Sequence, residues 1–218
     1  MLTVSLLVLF ITYTLAVITV DVRPIGPNGS SVGFAAINGA VFELFGTSEL
    51  WYGISEVLGY IPLATAAGFA LLGLFQLIKR RSIAKVDMSI YLLAVLYALV
   101  AAAYVLFEIV PLNFRPVLIE GVLEASYPSS HTMLTCCIMI SAIIQFHLRV
   151  NSRGLIVLLD IISVLTASLT VIGRLLSGVH WLSDIVGAII LSAFLISLYI
   201  TSLQITEERE RKRGKSVV

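Results

Sequence analysis

The sequence predicts an all-α, polytopic membrane protein with six transmembrane helices and a short amphipathic helix between the first and second spans. Composition, the length of the apolar runs and the sidedness of the basic residues each point that way. Of 218 residues, 59% are hydrophobic and only 12% charged, against about 45–50% apolar and about 25% charged in a soluble globular domain. So few charges cannot cover a water-facing surface, and lipid must be the solvent for much of the chain. A bilayer core of about 30 Å needs about 20 apolar residues rising about 1.5 Å each. Six stretches qualify: 2–20, 56–78, 88–110, 130–148, 155–173 and 182–203. The first lacks a basic leading region and a small-x-small cleavage site before Asp21, so it reads as a retained helix rather than a secretory signal. The expected division is a six-span membrane domain over residues 1–206 and a charged cytoplasmic tail over 207–218.

Orientation follows from Lys and Arg in the connections. Lys79, Arg80, Arg81 and Lys85, then Arg149 and Arg153, then Arg209, Arg211, Lys212, Arg213 and Lys215 fall in alternate connections, 11 of the 14 basic residues. Arg23, Arg115 and Arg174 fall on the other side. Both termini are therefore expected in the cytoplasm, with the loops of Arg115 and Arg174 facing the extracellular or periplasmic space. A net charge of +1 predicts no acidic partner and gives no sign of nucleic-acid binding. Cys136 and Cys137 are adjacent within an apolar run; metal sites and disulfide frameworks need separated ligands, so both read as packing residues.

The outer segment 21–52 opens with turn chemistry at Pro24, Gly26, Pro27, Asn28 and Gly29. Val32, Phe34, Ile37, Val41, Phe42 and Phe45 then recur at roughly helical spacing beside Asn38 and Glu43. This is the expected amphipathic helix, lying in the interface or packed on the bundle rim. Asn28-Gly29-Ser30 fits a glycosylation acceptor but reads better as a turn. The run 207–215 mixes both charge signs and reads as a solvated helix end.

Ionisable side chains are scarce, and those at the outer end are functional candidates because burying them is expensive. His180 and Asp184 are four residues apart at the expected start of the sixth span, a spacing that puts both on one helical face. A carboxylate there can fix one imidazole nitrogen and leave the other free as nucleophile or base; a His–Asp pair capping a helix fits the spacing equally well. Arg174 offers a planar guanidinium suited to phosphate oxygens, or simply snorkels. In Tyr127-Pro128-Ser129-Ser130-His131, Ser129 or Ser130 can cap the fourth span, whose free N–H groups make an anion site. His131 could protonate a leaving oxygen there, or be an ordinary interfacial histidine. Arg115-Pro116 alone is a commonplace helix end.

Together the three blocks resemble the type-2 phosphatidic acid phosphatase family. Its signature has a Lys separated by six residues from Arg-Pro, then Pro-Ser-Gly-His, then Ser-Arg-x5-His-x3-Asp. This chain has Arg115-Pro116, Pro128-Ser129-Ser130-His131 and Gly173-Arg174-x5-His180-x3-Asp184 in the same order. The resemblance implies a metal-independent enzyme without cofactor that dephosphorylates a lipid phosphate or diphosphate at the outer leaflet. By the same resemblance, His180 attacks phosphorus to form a phosphohistidine, Asp184 orients it and His131 is the general acid. Arg115, Arg174, Ser129 and Ser130 would hold the phosphoryl oxygens. The partners implied are a phosphorylated lipid and the surrounding membrane lipids.

The chain departs from the pattern at three positions. Glu108 stands where the family has Lys, Ser130 where it has Gly, and Gly173 where it has Ser. Glu108 could pair with Arg115 or Arg174, be protonated by burial and donate a hydrogen bond, or mark a site that binds lipid phosphate without turning it over. Arg23 could supply the missing cation if its loop folds over the site. A phosphoryl or head-group transferase would use the same residues, whereas a transporter is disfavoured by the lack of paired broken spans. Asp160, inside the fifth span, is expected to pair with a neighbour such as His147. Glu120 and Glu124 are expected to face water, and Trp51, Tyr52, Tyr127 and Trp181 to form an interfacial belt.

Overall fold

A computed structural model describes residues 1–212. It contains seven α-helices, and among the described residues there is no β-strand, only isolated bridges. They are α1 (Leu2–Thr19), α2 (Ala35–Phe45), α3 (Glu49–Arg80), α4 (Met88–Ile109), α5 (Ser130–Arg149), α6 (Arg153–Leu176) and α7 (Leu182–Lys212). All but α2 are long and apolar enough to cross a membrane, and the chain is a multi-pass membrane protein. The apolar runs set the spans because only a helix satisfies every backbone N–H and C=O from within the segment. The expected boundaries hold to within a few residues except at two ends. The second helix begins at Glu49, capped by Ser48, whose hydroxyl accepts from the Trp51 N–H at 3.4 Å. The last continues across residue 206 to Lys212, while Arg213 and Lys215 of the basic tail lie outside the described residues.

Helices α5 and α7 form the centre. Met133, Cys137 and Ala142 of α5 and Ala188, Leu191, Leu195 and Tyr199 of α7 pack with Leu93, Leu96 and Val100 of α4 and with Phe69 of α3. Both cysteines are buried and free. Helix α1 lies on α7 and keeps most of its apolar side chains on the outside, as do α3 and α6, the pattern of helices that face lipid. Helix α2 is fastened to the rim by Asn38, whose amide donates to the Ser183 hydroxyl at 2.9 Å and accepts from the Ser183 N–H at 3.1 Å. Ile37, Leu44 and Phe45 stay exposed on its other side.

A polar knot ties the end of the bundle that carries the basic connections. Asp87 accepts from the Gln76 amide at 2.6 Å and from the Arg80 guanidinium at 2.7 Å, and Arg149 reaches it at 3.3 Å. Asp160 meets His147 at 2.8 Å, as its position in the fifth span implied. The loops 20–48, 110–129 and 177–181 gather at the opposite end, and the candidate site is built from two of them.

Candidate active site

Between α4 and α5 the chain doubles back in a narrow loop. Antiparallel bridges join Phe114 to Ala125 and Ile119 to Val122, and the turn is made by Glu120 and Gly121, both at positive φ. Its neck is closed by Ser126 N–H to Asn113 C=O at 2.9 Å and Arg115 N–H to Glu124 C=O at 3.1 Å. The indole N–H of Trp181 donates to the Phe114 carbonyl at 2.7 Å, which fixes the loop to the entrance of α7. Tyr127 anchors it from below. Its hydroxyl meets Thr14 of α1 at 2.7 Å, and its ring lies so close to Gly187 that a Cβ there would come within 2.4 Å. These ties project Arg115, Glu124 and Ser126 toward the first turn of α5.

A cavity of about 270 Å³ opens there, walled by Arg115, Glu124, Ser126, Ser130, His131 and His180 and, on the α4 side, by Tyr104, Phe107 and Glu108. His180 is 3% exposed, and among the described residues its Nε2 has no hydrogen-bond partner. Its Nδ1 lies 3.1 Å from the Ser126 hydroxyl, which in turn makes a short hydrogen bond to Asp184 Oδ2. Asp184 also accepts from the Trp181 N–H at 2.9 Å and the Asn113 amide at 3.3 Å. Burial first, then the guanidiniums of Arg115 and Arg174 and the ring of His131, push the His180 pKa well below its ordinary value. The ring is therefore neutral at neutral pH and carries a lone pair that can act as a nucleophile.

His131 and Arg174 meet on a residue that the three sequence blocks do not contain. Glu56 Oε1 of α3 accepts from Arg174 Nη1 at 2.7 Å and lies 3.4 Å from His131 Nε2. Arg174 is 1% exposed and stacks over the Tyr52 ring at 5.5 Å, with the Ser55 hydroxyl 3.4 Å away. Gly173 allows this approach of α6 to α3, since a Cβ there would lie 3.1 Å from that of Ser55. The hydroxyl beside Arg174 thus comes from Ser55 of the neighbouring helix, not from residue 173.

The structure brings His131, His180, Arg115 and Ser130 to one cavity, with Asp184 behind His180 and Arg174 behind Glu56. Several expectations are corrected. His180 precedes α7, which begins at Leu182, so the one-face helical spacing does not apply and its Nδ1 stays 3.8 Å from Asp184 Oδ2. Asp184 instead turns back to cap its own helix. Ser129 stands at the N-terminus of α5, but its hydroxyl makes no cap bond, its N–H is taken by the Asp184 carbonyl at 3.1 Å, and it does not line the cavity. Glu108 is exposed and pairs with neither arginine, because Glu124 and Glu56 already hold them; Arg115 Nε is 3.0 Å from Glu124. Glu124 therefore lines the site while its side chain stays partly exposed, as expected. Arg23 bends back to Asp21 at 2.7 Å and stays exposed, away from the cavity. Tyr127 and Trp181 are buried supports of the loop, not an interfacial belt.

Two site residues were missed. The rule that an ionisable group inside a span is a functional candidate would have flagged Glu56, but placing the start of the span at residue 56 made it look like a boundary. Nothing in the sequence marks Ser126 apart from the serines around it.

The chain superposes on the crystal structure of the first transmembrane PAP2-type phosphatidylglycerolphosphate phosphatase from Bacillus subtilis with a TM-score of 0.66. The match covers 93% of this chain and 96% of that one at 16% sequence identity, and it establishes a shared fold. No curated protein sequence matches the chain. Residues 109–207 match the family model of the PAP2 superfamily, a stretch that holds Arg115, Ser126, His131, Arg174, His180 and Asp184 and excludes Glu56 and Glu108. This segment, a little under half of the chain, is thus similar to the PAP2 superfamily, and the whole chain shares the fold of a PAP2-type phosphatase.

Proposed function

We propose that this protein hydrolyses a lipid phosphate or diphosphate through a phosphohistidine on His180. One observation carries the reading: a buried, neutral imidazole whose Nε2 has no hydrogen-bond partner among the described residues and whose ring lines a cavity shared with a second imidazole and a guanidinium. In the first step the Nε2 lone pair attacks phosphorus, the bond from phosphorus to the ester oxygen breaks, and the leaving oxygen takes a proton from His131. In the second step His131 accepts a proton from water as that water attacks the phosphohistidine, which releases inorganic phosphate and restores the imidazole. Arg115 at the cavity wall, the α5 N-terminus at Ser130, and Arg174 behind Glu56 are the groups suited to charge on the phosphoryl oxygens. The match of residues 109–207 to the PAP2 superfamily and the fold shared with a phosphatidylglycerolphosphate phosphatase support this class of chemistry. The cavity lies opposite the basic connections, so the positive-inside rule assigns it to the extracellular or periplasmic side, with both termini cytoplasmic.

A second reading, lipid-phosphate binding without turnover, is favoured by the charge balance. Glu124 and Glu56 engage the two arginines, and Glu108 adds an unpaired carboxylate to the wall. Purified protein in detergent, assayed for phosphate release from phosphatidate, phosphatidylglycerophosphate and polyprenyl diphosphate, separates the two. Turnover that falls by at least about three orders of magnitude in His180→Ala supports the phosphatase. Release that survives His180→Ala overturns the mechanism. Specific binding with no release from any substrate replaces it with the second reading.

A further inference from the structure

Resting on the phosphohistidine reading, we infer that Ser126 is a positioning residue interposed between His180 and Asp184, so that the nucleophile is held by a three-member relay rather than by direct contact with the carboxylate. The distances are 3.1 Å from His180 Nδ1 to Ser126 Oγ and 3.8 Å from Nδ1 to Asp184 Oδ2. Only the first is within hydrogen-bonding reach. All three side chains are buried.

Donor counting fixes the direction of the relay. An ionised carboxylate only accepts, so Ser126 spends its one O–H proton on Asp184 Oδ2. The serine oxygen then has only lone pairs to offer, and His180 Nδ1 must carry the hydrogen. This leaves Nε2 unprotonated and without a partner among the described residues, the tautomer that attack on phosphorus requires.

Asp184 is itself locked by Trp181 N–H and the Asn113 amide, so it cannot swing toward His180 without giving up bonds of its own. When Nε2 bonds to phosphorus the ring becomes cationic. The hydroxyl dipole then conveys the carboxylate's stabilisation to Nδ1–H, and no proton needs to leave the relay.

The chain has three histidines, so nitrogen-15 labelling of histidine followed by NMR in detergent reads the tautomer directly, whether or not the protein turns over a substrate. The expected result is one histidine held as Nδ1–H between pH 7 and 8, its signal lost in His180→Asn, with mixed tautomers in Ser126→Ala. A wild-type His180 in the Nε2–H form overturns the relay.

In single-turnover phosphoenzyme formation, Ser126→Ala is expected to be slowed roughly 10- to 100-fold with vanadate affinity within about threefold, a scale set by measured losses of outer-shell partners. Ser126→Thr, which keeps the hydroxyl, should recover most of the rate. The double variant Ser126→Ala/Asp184→Ala should be no slower than the slower single variant, because both cut the same chain. A Ser126→Ala rate within about threefold of wild type overturns the proposal, as does a threonine variant as slow as alanine. If wild type forms no phosphoenzyme while the Nδ1–H signal is present, the phosphatase reading fails and the relay geometry stands.

Discussion

Gly178 sits two residues before His180, the proposed nucleophile, at φ +68°, in the left-handed region that suits glycine. A Cβ built there would lie 2.2 Å from the Gly46 carbonyl oxygen and 3.1 Å from Thr47 Cα. Real Cβ contacts do not fall below 3.0 Å, so Gly178→Ala forces a separation of at least 3.0 − 2.2 = 0.8 Å. Both neighbouring segments are constrained. Ser48 N–H donates to the Ser177 carbonyl at 3.3 Å and opens α3, so the displacement falls on the segment that carries His180. A misplacement of about 1 Å costs about 10²-fold in rate, and the left-handed backbone adds roughly 1–2 kcal/mol for a residue with a side chain. The expected outcome is a kcat lower by about 10- to 100-fold and a Tm lower by about 2–8 °C. Both are measured in the same detergent by phosphate release and thermal unfolding. Gly29→Ala is the control, since Gly29 also has positive φ, at +73°, but nothing within 4 Å. It should show the backbone strain without the loss of rate. A Gly178→Ala enzyme within about threefold of wild type would refute the reasoning.

Among the described residues, Glu56→Ala leaves the Arg174 guanidinium the Ser55 hydroxyl at 3.4 Å as its hydrogen-bond partner, beside the Tyr52 ring. A fully buried pair broken on one side costs about 3–5 kcal/mol, but Glu56 is 39% exposed, so roughly 1–3 kcal/mol is expected. Glu56→Gln, which keeps an acceptor, should lose much less, and equal melting of the two variants would show that Glu56 does not hold Arg174. Stability should also depend on pH through His180. Its folded pKa lies well below the unfolded value of about 6.5, so between the two the unfolded chain binds more protons. This contribution is complete above about pH 6.5 and is lost as pH falls toward the folded value. Tm should therefore drop between pH 7.5 and 5.5, and less steeply in His180→Asn; identical slopes would contradict the burial argument.

The membrane architecture was legible because a span leaves a one-dimensional signal: about 20 apolar residues in a row, with basic residues at alternate ends. The gathering of Arg115, His131 and His180 was legible for the same reason, since counting spans put their three segments at one end of the bundle. What escaped was side-chain partnership. The four-residue spacing of His180 and Asp184 implied a shared helical face, but the helix starts at Leu182, so the spacing describes a loop and a cap. Glu108 looked like the carboxylate to pair with an arginine because it occupies the place of a cation. The arginines are in fact held by Glu56, on a helix far away in sequence, and by Glu124, across the hairpin neck. Such pairings depend on which helices adjoin, and Gly173 permits the α3–α6 approach without announcing it.

The doubled-back segment between α4 and α5 is tethered at its neck and untethered at its tip. Phe114, Ser126 and Tyr127 are each anchored to the bundle, whereas Leu118, Glu120, Gly121 and Val122 are exposed. Length and sequence at the tip can therefore drift without disturbing the chemical groups at the base. The tip behaves as an interchangeable cap on a fixed frame, and exchanging it should leave the geometry beneath it intact.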